Sequence, residues 1–223
     1  MSFVVAIDGP AGTGKGTITE LISNQIGLVN IDTGATYRCV ALYIIQNNIK
    51  LEDKDKIINS LENIKIDIKN EKGKQTIFLN DKDVTEDIRK KEVTQIVSEV
   101  SSIKEVRFAM VDIQRKLAEG KDVIMEGRDI TTYVFPNADV KIYLDAKEEE
   151  RAKRRYEELQ ENKIEMTYEE VLKNIQIRDK NDKEKEIGAL KIAKDAIYID
   201  TTDLSKEEVK EKIIQIINMK RGK

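Results

Sequence analysis

The stretch FVVAIDGPAGTGKGT, residues 3–17, decides how the rest of the chain is read. Phe3 to Ile7 is a continuous apolar run, as expected of a strand buried on both faces of a parallel sheet. Gly9 to Lys15 then fits G-x-x-x-x-G-K, a P-loop pattern. Its glycines let successive backbone N–H groups converge on one phosphate chain. Ile18, Leu21, Ile22 and Ile26 follow at helical spacing, so the loop lies between a strand and a helix whose positive end adds to an anion site. Leu28 to Ile31 reads as the second strand. The P-loop pattern calls for Ser or Thr after the lysine, to hold Mg²⁺. Here Gly16 stands in that place and the hydroxyl arrives one residue later, at Thr17.

Composition narrows the chemistry. The chain has 223 residues, enough for one domain with insertions, and 39 basic against 42 acidic side chains, for a net charge of −3. That balance gives no general reason to expect nucleic acid or an anionic membrane as partner. There is no histidine, which excludes Ser-His-Asp and Cys-His catalysis and His-ligated metals. The single cysteine, Cys39, excludes an intrachain disulfide, reads as a buried small residue and fits a reducing cytoplasm. The N-terminal apolar run is too short for a signal segment and lacks a basic lead-in. No run approaches the roughly 18 apolar residues of a membrane span. A cytoplasmic protein is therefore expected.

Beyond the second strand, Tyr37, Cys39, Val40 and Ile44 predict a helix, and residues 55–61 another. Ile64, Ile66 and Ile68 then alternate with charged residues. Thr76 to Leu79 follows Gly73, and Asn80-Asp81 is a turn signal, so a small antiparallel sheet is predicted inside an α/β chain. Helices are expected over residues 87–100 and 102–119, and core strands at 122–125, 140–144 and 196–199. From Lys147 to Glu186, 24 of 40 residues are charged, which predicts a surface helical arm. The last helix opens on the capping-box pattern Ser205 to Glu208.

Three further stretches could carry chemistry. IDTGATYR, residues 31–38, follows the second strand at the edge where open α/β sheets bind ligands. Thr33 serves there equally well as a helix cap or a ligand contact, and Arg38 as a surface cation or a phosphate contact. EGRDITTYVFP, residues 126–136, follows another strand. Glu126 is placed to organise Mg²⁺ and its waters, with Arg128 and Asp129 at the same edge. In the charged arm, Arg151, Arg154 and Arg155 share one helix face, and Arg178, Asp182 and Lys185 another. A solvated face with weak pairs such as Glu150–Arg154 is the alternative there.

Taken together, AIDGPAG-GK, DTGATYR, EGRD…VFP and the R-D-x-x-D run at 178–182 resemble the bacterial cytidylate kinases, members of the P-loop nucleoside monophosphate kinases, over nearly the whole chain. The resemblance implies a three-layer α/β/α P-loop fold with a central parallel sheet, an inserted monophosphate-binding domain with a small antiparallel sheet, and a short helical lid. Residues 1–62, 101–150 and 186–223 would form the core, 63–100 the insert, and 151–185 the lid and arm. It implies ATP as phosphoryl donor, Mg²⁺, CMP or dCMP as acceptor, and a monomer without nucleic-acid or membrane partners.

The resemblance also implies roles. Gly9, Pro10, Ala11, Gly12, Thr13, Gly14, Lys15, Gly16 and Thr17 would cradle the ATP phosphates, with Arg154 beside them. Lys15, Arg38, Arg128, Arg151 and Arg155 would neutralise the transferring phosphoryl group. Thr33, Ser98, Arg107 and Asp129 would face the base. Arg38 and Arg128 would hold the acceptor phosphate, Arg178 would lie near the phosphates, and Asp182 with Lys185 would meet the sugar. Thr17 and Glu126 would hold the metal through water. The chain departs from the family at Gly16 (usually Ser), Lys104 (Pro), Thr131 (Gly) and Lys185 (Arg). A kinase for UMP, AMP or a small metabolite, or a non-catalytic ATP-binding switch, are the alternatives.

Overall fold

The structure is a computed structural model that describes residues 2–71, 74–161 and 164–222. Strands β1 (Val4–Asp8), β2 (Val29–Asp32), β6 (Val123–Gly127), β7 (Val140–Asp145) and β8 (Ile197–Asp200) form a fully parallel sheet in the order β2-β6-β1-β7-β8. Strand β1 is central, with Val5 registered against Ile124 on one side and Val140 on the other. Val4 to Ile7 are all buried, which explains the unbroken apolar run. Helices α1 (Lys15–Ile26) and α8 (Lys206–Arg221) cover one face through Ile18, Ile22, Val209 and Ile213. Helices α2 (Thr33–Gln46) and α5 (Lys104–Ala118) cover the other through Val40, Ile44, Val106 and Met110, and the short α3 (Lys54–Ser60) follows α2 in the chain. The result is the expected three-layer α/β/α P-loop fold.

A second sheet of β3 (Ile66–Glu71), β4 (Lys74–Leu79) and β5 (Lys82–Asp83) is antiparallel, as the alternation predicted. Asn80 and Asp81 both have positive φ, 50° and 64°, the conformation a tight turn from β4 into β5 requires. Gly73, read as a break before β4, lies outside the described residues. Ile66, Ile68, Ile77 and Leu79 join the same apolar cluster as Ile31 and Met125 of the central sheet, so this sheet shares the main core. Its joint to β2 is polar: Asn70 and Gln75 both donate to the Asn30 carbonyl, at 3.0 and 2.8 Å.

Three expectations are corrected. The helix predicted over 87–100 breaks at Lys90 into a 3₁₀ turn, Asp87–Arg89, and α4, Lys91–Val100, because Lys90 adopts an extended ψ of 155°. Strand β8 is an edge strand in which only Ile199 is buried, since among the described residues it has β7 on one side and no strand on the other. The charged arm, α6 (Glu148–Glu161) and α7 (Tyr168–Glu184), is not wholly surface. Ala152, Leu159, Val171 and Ile175 make it a small core of its own, and Arg151, Asp179 and Asp182 are buried beside the central sheet. Besides α8, helix α7 also has a full capping box, Thr167 with Glu170, as does Ser205 with Glu208 on α8.

Candidate active site

The carboxyl edge of the parallel sheet is rich in acids. Asp8, Asp32, Asp145 and Asp200 end four strands, and Glu126 lies one residue before the end of β6. The P-loop turns here between β1 and α1. Gly9 has φ 155°, and a side chain there would overlap the Leu144 carbonyl of β7, so only glycine lets the chain leave β1 this way. Lys15 opens α1 and is buried, its Nζ donating to the Pro10 carbonyl at 2.7 Å and the Thr13 hydroxyl at 3.1 Å. The lysine thus closes the loop on itself. Burial, then the nearby Arg128, push its pKa down to about 7. Thr17 is exposed on the first turn of α1.

Gly16 has a local reason. A Cβ at this position would lie 3.1 Å from Glu126 Oε1, closer than ordinary packing. A side chain at residue 16 would press on the Glu126 carboxylate, which would have to give by a few tenths of an ångström. Burial, and after it the Asp32 carboxylate, raise the Glu126 pKa against the pull of Lys15, Arg128 and Arg178. Thr33, read as a possible cap, is the first residue of α2. Asp32 is the cap, accepting from the Ala35 amide at 3.1 Å. The Thr33 hydroxyl donates instead to the Glu126 carbonyl at 2.6 Å, tying β6 to the start of α2.

Cations gather opposite this edge. Arg38 of α2 donates to the Ile88 carbonyl and Thr94 hydroxyl, at 3.0 and 2.8 Å; burial lowers its pKa, against the pull of Asp32. Arg128 donates through Nε to Asp182 at 2.8 Å. Burial opposes its charge, but Asp182 and Glu126 outweigh it and hold its pKa up. Arg178 has no ion pair within 4.0 Å among the described residues, and burial followed by Arg128 lowers its pKa to about 10. Arg128 and Arg178 both oppose the Lys15 charge, and Arg128 opposes that of Arg178, so beside the paired Arg128 these two cations are undercompensated. This is the electrostatic form of an anion-binding site.

Behind these cations lies a second layer. Arg107 of α5 pairs with Asp129, and both are buried. Burial works against the Arg107 charge, but Tyr37, whose ring lies 5.5 Å away, and Asp129 outweigh it and raise its pKa. Arg107 Nε has no hydrogen-bond partner among the described residues. Gly188, at φ 67°, lays its backbone against this pair; an added methyl would overlap both Arg107 and Asp129. The Ser98 hydroxyl is half-buried on α4, and its carbonyl accepts from Ser101 and Ser102, each at 2.9 Å. Lys185 donates to Asp182 at 2.9 Å. Burial opposes the Asp182 charge, but Arg128 and Lys185 hold its carboxyl well below the usual carboxylate range.

The arginines of α6 do not act as one face. Arg151 is 5% exposed and braces the back of the P-loop. It donates to the Ala11 and Ala146 carbonyls, each at 3.0 Å, and pairs with Asp179 at 2.7 Å. Arg154 turns toward the end of β8, donating to the Thr201 carbonyl at 2.7 Å. Arg155 is half-exposed and pairs with Glu158 at 2.7 Å. Sequence reasoning passed over Asp8. Fully buried, it accepts from the Ile130 and Thr131 amides and the Thr131 hydroxyl, at 2.6 to 2.8 Å. Its contact with Thr131 ties the P-loop strand to the loop carrying Arg128 and Asp129. Burial raises the Asp8 pKa to about 6. Its place directly before the first loop glycine was the available signal.

The parallel sheet, the glycine loop at its centre and the converged cations define a P-loop protein built for phosphoryl transfer. A profile of the cytidylate kinases matches residues 5–219, and the chain belongs to that family. A cytidylate kinase from Caldicellulosiruptor bescii is 49% identical over 212 residues, 95% of this chain and 94% of that one. One from Fusobacterium nucleatum is 49% identical over 208 residues, covering 93% of this chain and 94% of that one. A solved structure of an uncharacterised protein from Eubacterium ventriosum has a TM-score of 0.53 at 12% identity and covers 98% of this chain and 99% of that one, a likeness of fold. No described helix is long and apolar enough to cross a membrane.

Proposed function

We infer that this chain transfers the γ-phosphoryl group of ATP to CMP or dCMP, giving ADP and CDP or dCDP. The observation that carries this reading is the two-layered edge: undercompensated cations around Lys15, with the Arg107–Asp129 pair behind them. The front layer suits phosphates. The rear layer suits cytosine, whose N4 amino group donates to a carboxylate while N3 and O2 accept from an arginine. Uracil offers a carbonyl in place of the amino group and would face the wrong partner.

In this reading residues 9–17 hold the ATP phosphates, and Lys15 leaves its contacts with Pro10 and Thr13 for the outer phosphates. Arg38 and Arg128 hold the acceptor phosphate, with Arg178 beside it. Arg107, Asp129, Thr33 and Ser98 face the base, and Asp182 with Lys185 the sugar. An acceptor phosphate oxygen attacks the γ-phosphorus in line, the bond to the β-phosphate oxygen breaks, and ADP leaves. The nucleophile is already anionic, so the absence of histidine removes nothing the reaction needs. Arg155 and Arg154 of α6 approach ATP when the arm, residues 151–185, closes over it. Closure excludes water and suppresses hydrolysis. Residues 63–100 form the acceptor-binding insert, and the remainder the core.

Mg²⁺ fits this edge. Among the described residues no three acidic or thiol groups cluster as a ready metal cage. Glu126 is nevertheless a carboxylate beside Asp32, which suits an ion held mainly by phosphates and water. Such an ion would neutralise charge on the transferring phosphate, with Glu126 and Thr17 reaching its waters. We further propose a monomeric, cytoplasmic enzyme. The deciding experiment measures ADP release from Mg-ATP with CMP, dCMP, UMP and AMP. CMP and dCMP should be the fastest acceptors, and a faster rate with UMP or AMP overturns the assignment.

A further inference from the structure

Ser98, Arg107 and Lys185, three of the residues proposed for the acceptor nucleotide, meet at one residue that is not among them. Ser101 caps the C-terminal end of α4 and is 7% exposed. Its hydroxyl donates to the Ser98 carbonyl at 2.9 Å and accepts from Lys185 Nζ at 3.1 Å. Its own carbonyl accepts from Arg107 Nη1 at 3.3 Å. Lys185 spends a second N–H on Asp182, whose other oxygen accepts from Arg128. Through one buried serine, the turn carrying Ser98, the base-facing arginine on α5 and the sugar-facing pair at the end of α7 are held in a single network. Ser101 and Lys185 lie 84 residues apart in the chain.

We propose that Ser101 is a positioning residue for the acceptor nucleotide, joining the base-reading and sugar-reading halves of the site. It touches no reacting atom; it acts through Lys185 and Arg107. The lysine at 185 suits this arrangement. A lysine ammonium is a point donor with three N–H groups, able to serve Asp182 and the serine hydroxyl in different directions at once. When the serine hydroxyl is absent, Lys185 loses its tether and a buried donor is left without its partner. The cost falls on assembling the acceptor site and leaves the ATP side largely untouched, because among the described residues Lys15 bonds only Pro10 and Thr13 of its own loop, outside this network.

The test rests on the functional reading above, yet separates from it. Steady-state kinetics would compare wild type with Ser101→Ala, and Ser101→Thr with Ser101→Val, a pair of the same shape that differs by the hydroxyl. Thermal unfolding of each variant accompanies the kinetics. The alanine and valine variants should raise KM for CMP about ten-fold, the size of one lost charged hydrogen bond. Their kcat and KM for ATP should stay within about two-fold, and the threonine variant should recover most of the acceptor KM. A valine variant with the same KM for CMP as the threonine variant overturns the proposal, as does an equal loss on ATP and CMP. If alanine unfolds the protein, the threonine–valine pair still decides. If wild type prefers another monophosphate, the cytidylate reading fails, and the same comparison run with that acceptor still tests Ser101.

Discussion

Arg151→Ala separates two roles that the sequence could not. The family resemblance places Arg151 among the groups that neutralise the transferring phosphoryl. The geometry makes it a strut, with its guanidinium shared between the Ala11 carbonyl, the Ala146 carbonyl and Asp179. Truncation would leave the Asp179 carboxylate, 8% exposed and already lacking a partner at Oδ1, as an uncompensated buried charge. Breaking such a pair from one side destabilises a protein by about 3–5 kcal/mol. The two carbonyls also lose a charged donor, but these losses overlap and are not added. At about 2–4 °C per kcal/mol for a chain of this size, a loss of ~4 kcal/mol lowers Tm by about 8–16 °C. Calorimetry or circular dichroism at neutral pH reads this directly. Replacing both partners, Arg151→Met with Asp179→Leu, should recover most of the loss, because neither charge is then left buried. Because Ala11 belongs to the loop, KM for ATP should rise in the single variant while kcat stays near wild type. A Tm within about 3 °C of wild type, with kcat reduced a hundred-fold, would refute the strut and return Arg151 to the reacting phosphates.

Further outcomes follow from the same site. Lys15→Ala should lower kcat by about 10² or more, by analogy with other lost transition-state donors, and a near-normal rate would show that Lys15 does not reach the phosphates. Because the folded, unliganded protein holds the Lys15 proton only to about pH 7, ATP binding at pH 8 should take up a proton. Titration calorimetry in buffers of different ionisation enthalpy should show this uptake in wild type and not in Lys15→Met. The sign for stability agrees: the unfolded chain keeps that proton to about pH 10.5, so the Lys15 contribution to stability rises with pH between the two values. Gly188→Ala should weaken CMP binding at least about ten-fold without changing ATP binding, because its methyl would displace the Arg107–Asp129 pair. Equal CMP affinity in that variant would show that the pair does not read the acceptor.

Much of this protein is legible in local pattern. An unbroken apolar run followed by G-x-x-x-x-G-K can place a glycine loop only between a buried strand and a helix, because each element's period and the turn's need for glycine are local properties. The alternation at 64–69, the Asn80-Asp81 turn and the capping box at Ser205 are legible for the same reason. Motif spacing also brought Arg38, Glu126, Arg128, Asp182 and Lys185 to one edge, since each lies at the end of a strand or on a helix facing it.

What the sequence by itself left open depends on partners distant in the chain. Nothing near Gly16 shows that the Glu126 carboxylate, 110 residues away, lies close beside it. Nothing on the face of α6 shows that Arg151 turns inward to Asp179 while Arg154 turns to Thr201. Periodicity places a charged residue on a helix face; burial of that face against another element decides whether the charge meets solvent, a strut partner or a ligand. Ser101 and Gly188 carry no motif of their own, and their roles, like the Asp8 contacts with Ile130 and Thr131, exist only where separate segments meet. The sequence determined the fold, the loop and the candidate cations, because those rest on local conformational preference. The tertiary structure decided which cations are braces and which remain undercompensated, because a buried charge is governed by whatever partner the fold brings within a few ångströms.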